Sequence, residues 1–130
     1  EGFQPLLILL DPPRQELYDV LNRRAAAMFE QGLEEEIRSI LARGYPSTAK
    51  PFESLGYKQA LEWIEGKCTL VEAVEETQKQ TRHYAKRQWT WFKRDTRVSW
   101  IPGFGHSPQT QENTLLTLLA AAPSLKSFFL

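Results

Sequence analysis

The sequence predicts a mainly α-helical fold that contains two short β-strands. Apolar side chains recur every three or four residues over most of the chain, which is the pattern of helices with one buried face. Two short apolar runs, Leu6 to Leu10 and Val98 to Ile101, are each followed closely by a proline, and this combination favours strands. The length of 130 residues suits one domain with a hydrophobic core.

The first apolar run contains no polar residue, so we expect a strand that is buried on both faces, as in a parallel sheet. Because an isolated strand is not stable, its neighbours must come from elsewhere in the chain or from sequence outside it. Helical spacing begins at Arg14, directly after two prolines, and resumes between Gly32 and Gly44. Two consecutive helices are therefore predicted after the strand.

Three adjacent acids, Glu34 to Glu36, stand at the start of the second predicted helix. Neighbouring carboxylates can hold a metal ion or act as acid and base. Adjacent residues on a helix point in different directions, however, and acids near a helix N-terminus interact favourably with the helix dipole. We interpret the acidic run as a helix-start signal.

After a proline-containing loop, Gln59 to Glu65 predicts a third helix. Gly56, just before that helix, permits either a tight turn or a close approach of the backbone to a ligand, and the turn is the simpler interpretation. Thr69 and Glu72 have the spacing of a capping box, which opens a long fourth helix over residues 70–94.

The segment from Thr77 to Arg97 is rich in cations and contains one acid, Asp95. Five of its cations follow at helical steps of three and four and therefore share one face: Lys79, Arg82, Lys86, Lys93 and Arg97. The opposite face is predicted to pack on the core: Val74, Thr77, Thr81, Ala85, Gln88 and Phe92. Cations interleaved with aromatic rings suit nucleic acid, which offers both phosphates and flat bases. A solvated charged helix is the alternative interpretation of the same pattern.

The two ends of the sequence carry weaker signals. Gly105 to Asn113 is predicted to be a polar linker, and Thr114 to Leu130 is a Leu/Ala-rich tail that Pro123 divides into two short helical pieces. The sequence starts with Glu1 and has its only methionine at position 28, so we expect it to be a piece of a longer protein.

Composition excludes several classes of site. The formal net charge is zero, but residues 1–66 carry a net −4 and residues 67–97 a net +4, so capture of an anion is confined to one region. The single cysteine, Cys68, excludes a disulfide framework and a cysteine-based zinc site. The two histidines lack metal-ligand spacing, and no apolar run approaches the roughly 20 residues of a membrane span.

Four blocks, in this order, resemble the C-terminal portion of the tRNA isopentenyl-transferase family, the tRNA dimethylallyltransferases. They are the strand-and-PR element from Leu6 to Arg14, the MFEQGLEEE block from Met28, the LGYK block from Leu55 and the highly specific TRHYAKRQWTWF block from Thr81. The likeness covers about Pro5 to Ile101. Residues 1–102 therefore resemble the family's C-terminal part, and residues 103–130 form a linker and tail of unknown role.

The resemblance implies a reaction, a fold and partners. The family transfers a dimethylallyl group from dimethylallyl diphosphate to N6 of the adenosine that follows the anticodon of tRNA. Its fold is an α/β core like that of P-loop nucleotide kinases, and the N-terminal half of that core is missing from this sequence. The resemblance also implies Mg²⁺, with ligands outside this sequence, and a cytoplasmic monomer that binds the tRNA anticodon stem-loop.

The resemblance also implies binding roles. Arg82, in the TR of the last block, corresponds to a cation that holds the isoprenyl diphosphate, and a guanidinium fork suits phosphate oxygens. Two segments correspond to tRNA contacts: Glu53, Ser54, Leu55, Gly56, Tyr57 and Lys58, and then Lys86, Arg87, Gln88, Trp89, Thr90, Trp91, Phe92 and Lys93.

Two parts of the family pattern are absent from these 130 residues: the P-loop motif G-x-x-x-x-G-K-[ST] and the N-terminal acid that acts on the adenine amine. We therefore assign no catalytic residue to the chain and expect it to be inactive alone. Two alternatives remain open. One is a non-catalytic RNA-binding helical module, and the other is a helical interaction domain whose cations pair with its own acidic half.

Overall fold

A computed structural model describes residues 5–123. Along the chain the elements are β1 Leu7–Asp11, α1 Arg14–Glu30, α2 Leu33–Ala42, a 3₁₀ helix Lys50–Glu53, α3 Tyr57–Ile64, α4 Leu70–Phe92, β2 Val98–Pro102 and α5 Pro108–Ala121. The prediction of a mainly helical chain with two short strands is confirmed. The described residues form two compact units, which we call the helical unit (residues 18–87) and the strand unit (residues 5–17 and 88–123).

In the strand unit, β1 and β2 pair in parallel, with Leu7 opposite Val98 and Asp11 opposite Pro102. Ile101 is buried, but Leu10 is 40% exposed, and no residue of β1 is fully buried. The prediction that β1 is buried on both faces is therefore wrong for residues 5–123. The reason is that β2 is its one paired neighbour within that range, so the sheet has too few strands to enclose it.

Helix α5 corrects the prediction of a polar linker over residues 105–113, because it begins at Pro108. Proline at the first turn is already set to the helical φ angle. The hydroxyl of Thr110 is buried and donates to the carbonyl of Pro102 at 3.2 Å, which ties α5 to the end of β2. Residues 103–123 thus belong to the same compact unit as the sheet. The predicted second helical piece lies outside the described residues.

The helical unit has a core formed by α2, α3, α4, the end of α1 and the 3₁₀ helix. Its buried members are Phe29, Leu33, Ile37, Phe52, Ala60, Leu61 and Ala73. Ile37 has no solvent exposure, as expected for the apolar face of an amphipathic helix. None of the helices formed by residues 5–123 is long and apolar enough to cross a bilayer.

Helix α4 opens with the predicted capping box. The carboxylate of Glu72 accepts from the backbone N–H of Thr69 at 2.8 Å, and the hydroxyl of Thr69 accepts from the N–H of Glu72 at 3.2 Å. The bond from the Thr69 N–H, followed by one that the Thr69 hydroxyl donates to the same carboxylate at 2.9 Å, holds the pKa of Glu72 below its ordinary value. The predicted core-facing stripe is confirmed at Thr77, which is 1% exposed, and fails at Gln88, which is exposed.

The other end of α4 differs from the prediction, because the helix stops at Phe92 and not at residue 94. The N–H of Arg94 bonds to the carbonyl of Trp91, and that of Asp95 to the carbonyl of Phe92. These bonds skip two residues and not three, so the chain tightens into a turn. Arg97 therefore does not continue the helical face of Lys79, whereas the N–H of Lys93 still bonds to the carbonyl of Trp89, four residues back.

Gly56 makes the turn that precedes α3, as the simpler interpretation predicted. Its φ is +92°, a conformation that residues with a side chain rarely adopt. Its N–H donates to the side-chain oxygen of Gln59 at 2.9 Å, which caps the helix start. A Cβ atom on Gly56 would lie 3.0 Å from the terminal methyl of Met28, so space is short as well.

We expect Gly56→Ala to lower the free energy of unfolding by about 1–3 kcal/mol, because the new residue is held at an unfavourable φ. Gly44→Ala is the matched control, since Gly44 has a φ of +90° with nothing within 4 Å of its Cβ position. Chemical denaturation of both variants should show the larger loss for Gly56→Ala. Equal losses would mean that the contact with Met28 has no cost.

Candidate nucleic-acid interface

The helical unit contains a groove of about 390 Å³ between the region around α3 and one face of α4, which we call the α3–α4 groove. It is lined by Glu53, Leu55, Lys58, Gln59, Glu62, Glu76, Gln80, Tyr84 and Arg87. Four of these residues were predicted to contact tRNA, and they come from both predicted segments. The fold therefore brings residues of the LGYK block next to a residue of the TRHYAKRQWTWF block.

Helix α4 supplies its side of the groove through four residues at steps of four, four and three. Gln80 donates its amide to the Glu76 carboxylate at 2.6 Å, and this bond, followed by one from Lys79, holds the pKa of Glu76 below its ordinary value. The Tyr84 ring is 52% exposed, and the guanidinium carbon of Arg87 lies 5.9 Å from its centre. On this side the groove thus presents a carboxylate, an amide, an aromatic ring and a guanidinium.

Five groove residues were missed by the sequence predictions: Gln59, Glu62, Glu76, Gln80 and Tyr84. A signal for the last three was present, because residues 76, 80, 84 and 87 follow the same three-and-four spacing that identified the basic face. The α3 side had no such signal, since it depends on how α3 packs beside α4.

Tyr57, predicted to contact tRNA, does not line the groove. Its hydroxyl donates to the Glu36 carboxylate at 2.6 Å, and this bond is the main cause of the raised pKa of Tyr57. Its ring lies 6.3 Å from that of Phe52 and borders a separate apolar cavity of about 220 Å³. The acids of α2 point in different directions, as predicted: Glu36 bonds to Tyr57, whereas Glu34 pairs with Arg38 at 2.7 Å.

Arg82 lies on another face of α4 and is held by α1. Its guanidinium donates to the side-chain oxygen of Asn22 at 2.5 Å, and the amide of Gln78 donates to the backbone carbonyl of the same residue at 3.1 Å. A guanidinium has five N–H donors, so this bond is compatible with binding phosphate oxygens as well. Asn22 therefore fixes the position of the cation that the resemblance assigns to diphosphate.

The remaining predicted contacts lie at the end of α4, mostly in the strand unit. Trp89 is engaged within the protein, because Arg14 and Lys93 each lie 4.8 Å from its ring centre and Trp100 meets it at 6.1 Å. Trp91 is 66% exposed. Exposure varies among the other predicted contacts, with Phe92 half-buried and Ser54, Lys86, Gln88 and Thr90 exposed. Aromatic contact with a ligand is therefore better supported for Trp91 than for Trp89.

Two predicted cations of the basic face pair with the chain's own acids: Lys79 with Glu76 at 3.1 Å, and Arg97 with Asp95. Arg97 donates to both oxygens of Asp95, at 2.9 and 2.7 Å, and its backbone N–H also bonds to this carboxylate. Its prediction as a member of the basic face is therefore wrong, since it follows the end of α4 and pairs with the chain's own acid. Hydrogen bonds from Arg97 lower the pKa of Asp95 to about 2.

This pair gives a pH-dependent prediction. Because the pKa of Asp95 falls from 3.8 to about 2 on folding, its contribution to stability is complete above about pH 4 and is lost as the pH falls through 2. An NMR titration of the carboxyl carbon should find the low pKa in the wild type and a higher pKa in Arg97→Gln, still below 3.8 because the backbone N–H of residue 97 keeps its bond to the carboxylate. Arg94→Gln is the control and should leave it unchanged. A wild-type pKa near 3.8 would contradict the pairing.

Residues 5–123 contain no group of three or more His, Cys, Asp or Glu side chains that could hold a metal ion.

Comparisons with known proteins identify the family. The model of the IPP transferase family matches residues 1–95. The tRNA dimethylallyltransferase of Koribacter versatilis is 54% identical over 104 residues, which are 80% of this chain and 34% of that protein. The one of Solibacter usitatus is 47% identical over 114 residues, or 88% of this chain and 37% of that protein. Because 114 residues exceed the span from Pro5 to Ile101, the likeness extends beyond the range first assigned to it.

Solved structures of similar fold come from the same family. The tRNA delta(2)-isopentenylpyrophosphate transferase of Staphylococcus epidermidis aligns with a TM-score of 0.79 and 30% identity, over 93% of this chain and 39% of that one. The full-length tRNA isopentenylpyrophosphate transferase of Bacillus halodurans aligns with a TM-score of 0.78 and 31% identity, over 95% of this chain and 41% of that one. The chain thus spans about two fifths of these structures and slightly less of the two dimethylallyltransferases. The four sequence blocks, the family match and the shared fold together show that the chain belongs to the IPP transferase family.

Proposed function

We propose that the protein carrying this chain transfers a dimethylallyl group from dimethylallyl diphosphate to N6 of the adenosine that follows the anticodon of tRNA. Family membership supports this reaction, since the relatives are named tRNA dimethylallyltransferases and tRNA isopentenylpyrophosphate transferases. The observation that carries the proposal for this chain is the α3–α4 groove, where the two segments predicted to contact tRNA meet. We place the reaction in the cytoplasm and in a monomer.

The chain's role in this proposal is to bind and position. Lys58 and Arg87 stand on opposite walls of the groove, one from α3 and one from α4, and their charges suit phosphates of a single RNA loop. Trp91 adds an exposed indole on which a base can stack. Lys86 and Lys93 add positive charge along the same stretch of α4 and the turn after it.

Arg82 takes the role of stabilising the leaving group. The lone pair of N6 forms the new carbon–nitrogen bond while the allylic carbon–oxygen bond breaks, and the electron pair leaves with pyrophosphate. Fixed cations that face the growing negative charge lower the barrier to this step. Asn22 keeps the guanidinium in place. N6 then loses a proton to the N-terminal acid that the family resemblance implies, which is not among these 130 residues. On this account residues 1–130 bind substrates and are inactive alone.

An isotope-transfer assay tests the proposal. The complete protein that carries this chain would be incubated with radiolabelled dimethylallyl diphosphate and a tRNA that reads a codon beginning with U. We expect the label in the nucleoside that follows the anticodon, and none in a control transcript with guanosine at that position. Tight binding of tRNA without transfer of label would favour the non-catalytic RNA-binding module instead.

A further inference from the structure

The α3–α4 groove carries more carboxylates than cations, which is not the charge pattern of a site that binds phosphate alone. Three carboxylates, those of Glu53, Glu62 and Glu76, line it together with the two cations, Lys58 and Arg87. Hydrogen bonds from Gln80 and Lys79 keep the pKa of Glu76 low, so this acid is ionised at neutral pH. Carboxylates repel phosphate and accept hydrogen bonds from N–H groups. The carboxylates of the groove therefore favour a group that donates hydrogen bonds.

The groove also offers a flat surface. The ring of Tyr84 is about half exposed, although it lies on a helix beside a buried face, and the Arg87 guanidinium stands near it. Proteins bind unstacked bases on such rings and on guanidinium planes, because both replace the stacking that the base has lost. An exposed tyrosine alone would be unremarkable, but this one lines a cavity that contains hydrogen-bond acceptors.

The size of the groove agrees with a single base. Its volume of about 390 Å³ lies at the lower end of the roughly 300–1,000 Å³ found for small-molecule sites. A duplex would not enter such a space, whereas one nucleoside would. The two cations then suit the phosphates of the RNA backbone, whereas the carboxylates suit the base.

We propose that the α3–α4 groove binds one unstacked nucleobase of the anticodon loop, and that this base carries an exocyclic amino group. Its ring stacks on Tyr84, its amino hydrogens are donated to Glu76 and Glu62, and its phosphate is bound by Arg87 or Lys58. The inference rests on the proposed tRNA function. The base is not the one that is modified, because Arg82, assigned to the allyl diphosphate, does not line this groove.

Abasic substitutions in the RNA, combined with variants of Tyr84, test this inference. Dissociation constants would be measured between the complete protein and a series of anticodon stem-loops, each lacking one loop base. We expect Tyr84→Ala to weaken binding of the intact stem-loop about 5- to 150-fold, the range found when a base loses its aromatic partner. Tyr84→Phe should bind like the wild type because it keeps the ring. Tyr45→Ala is the matched control, since Tyr45 is also exposed but lies outside the groove.

The position of the bound base is identified by the abasic substitution whose effect on affinity is not additive with that of Tyr84→Ala. One abasic position should weaken binding to the wild type and have no further effect in Tyr84→Ala. At that position, removal of only the exocyclic amine should weaken binding to the wild type more than to Glu76→Gln. Wild-type affinity in Tyr84→Ala, or additive losses at every loop position, would overturn the inference while leaving the proposed function intact. Failure of the wild type to bind any stem-loop would overturn both.

Discussion

Arg82→Ala should lower the turnover of the complete protein about 10²- to 10³-fold, the loss found when a single group that stabilises developing charge is removed. The guanidinium donates a hydrogen bond to the side-chain oxygen of Asn22 at 2.5 Å, which positions it without a ligand. Arg82→Lys keeps the charge but loses the planar fork, and we expect it to recover only part of the rate. Steady-state kinetics with dimethylallyl diphosphate as the varied substrate measure both effects.

Asn22→Ala separates positioning from chemistry. It leaves Arg82 in the protein but removes the side-chain oxygen that holds it, so we expect a smaller loss than that of Arg82→Ala, expressed mainly in KM for the diphosphate. Arg38→Ala is the control, because Arg38 is an exposed cation that pairs with Glu34 on α2. Thermal unfolding of each variant checks that a loss of turnover is not a loss of fold. Unchanged turnover in Arg82→Ala would remove this residue from the mechanism.

Ile37→Ala should lower the free energy of unfolding by about 2–5 kcal/mol, because buried apolar surface is removed and a cavity remains. Ile37 has no solvent exposure and lies among Phe29, Phe52 and Leu61 in the core of the helical unit. Val71→Ala is the matched control, since Val71 is a β-branched helical residue that is 65% exposed. Its replacement should change stability by less than about 0.5 kcal/mol.

Urea unfolding monitored by circular dichroism measures both variants. A decrease below about 1 kcal/mol for Ile37→Ala, well under the range expected for a buried isoleucine, would mean that α2 does not form the centre of this core.

Local signals allowed most of the fold to be predicted. Proline and glycine mark the bounds of α1 and α2, and the Thr69–Glu72 capping box fixes the start of α4. These features depend on residues within one or two turns of one another, so their spacing is readable in the sequence. The start of α5 was missed although Ser107 and Pro108 form a local start signal, because the segment around them is polar and was read as a linker. The bond from Thr110 to the carbonyl of Pro102, which ties α5 to β2, is not visible in the sequence.

The candidate site was predictable in its parts but not in its arrangement. The sequence identified Lys58 and Arg87 separately, and no spacing rule places residues 29 positions apart on one groove. The bond between Asn22 and Arg82 joins residues separated by 60 positions, and the one between Glu36 and Tyr57 joins residues separated by 21. Such contacts follow from helix packing, which the periodicity of a single segment does not specify.

The salt dependence of tRNA affinity tests most directly whether this chain binds RNA through the cations of the α3–α4 groove. The affinity of a phosphate-binding protein falls as salt rises, and the plot of the logarithm of the association constant against the logarithm of salt concentration has a negative slope. In the complete protein, the double variant Lys58→Ala, Arg87→Ala should make this slope less steep by about 0.7–0.9 for each phosphate that it no longer neutralises. Arg38→Ala should leave the slope unchanged. An unaltered slope and affinity in the double variant would contradict the account, because the groove would then bind no phosphate.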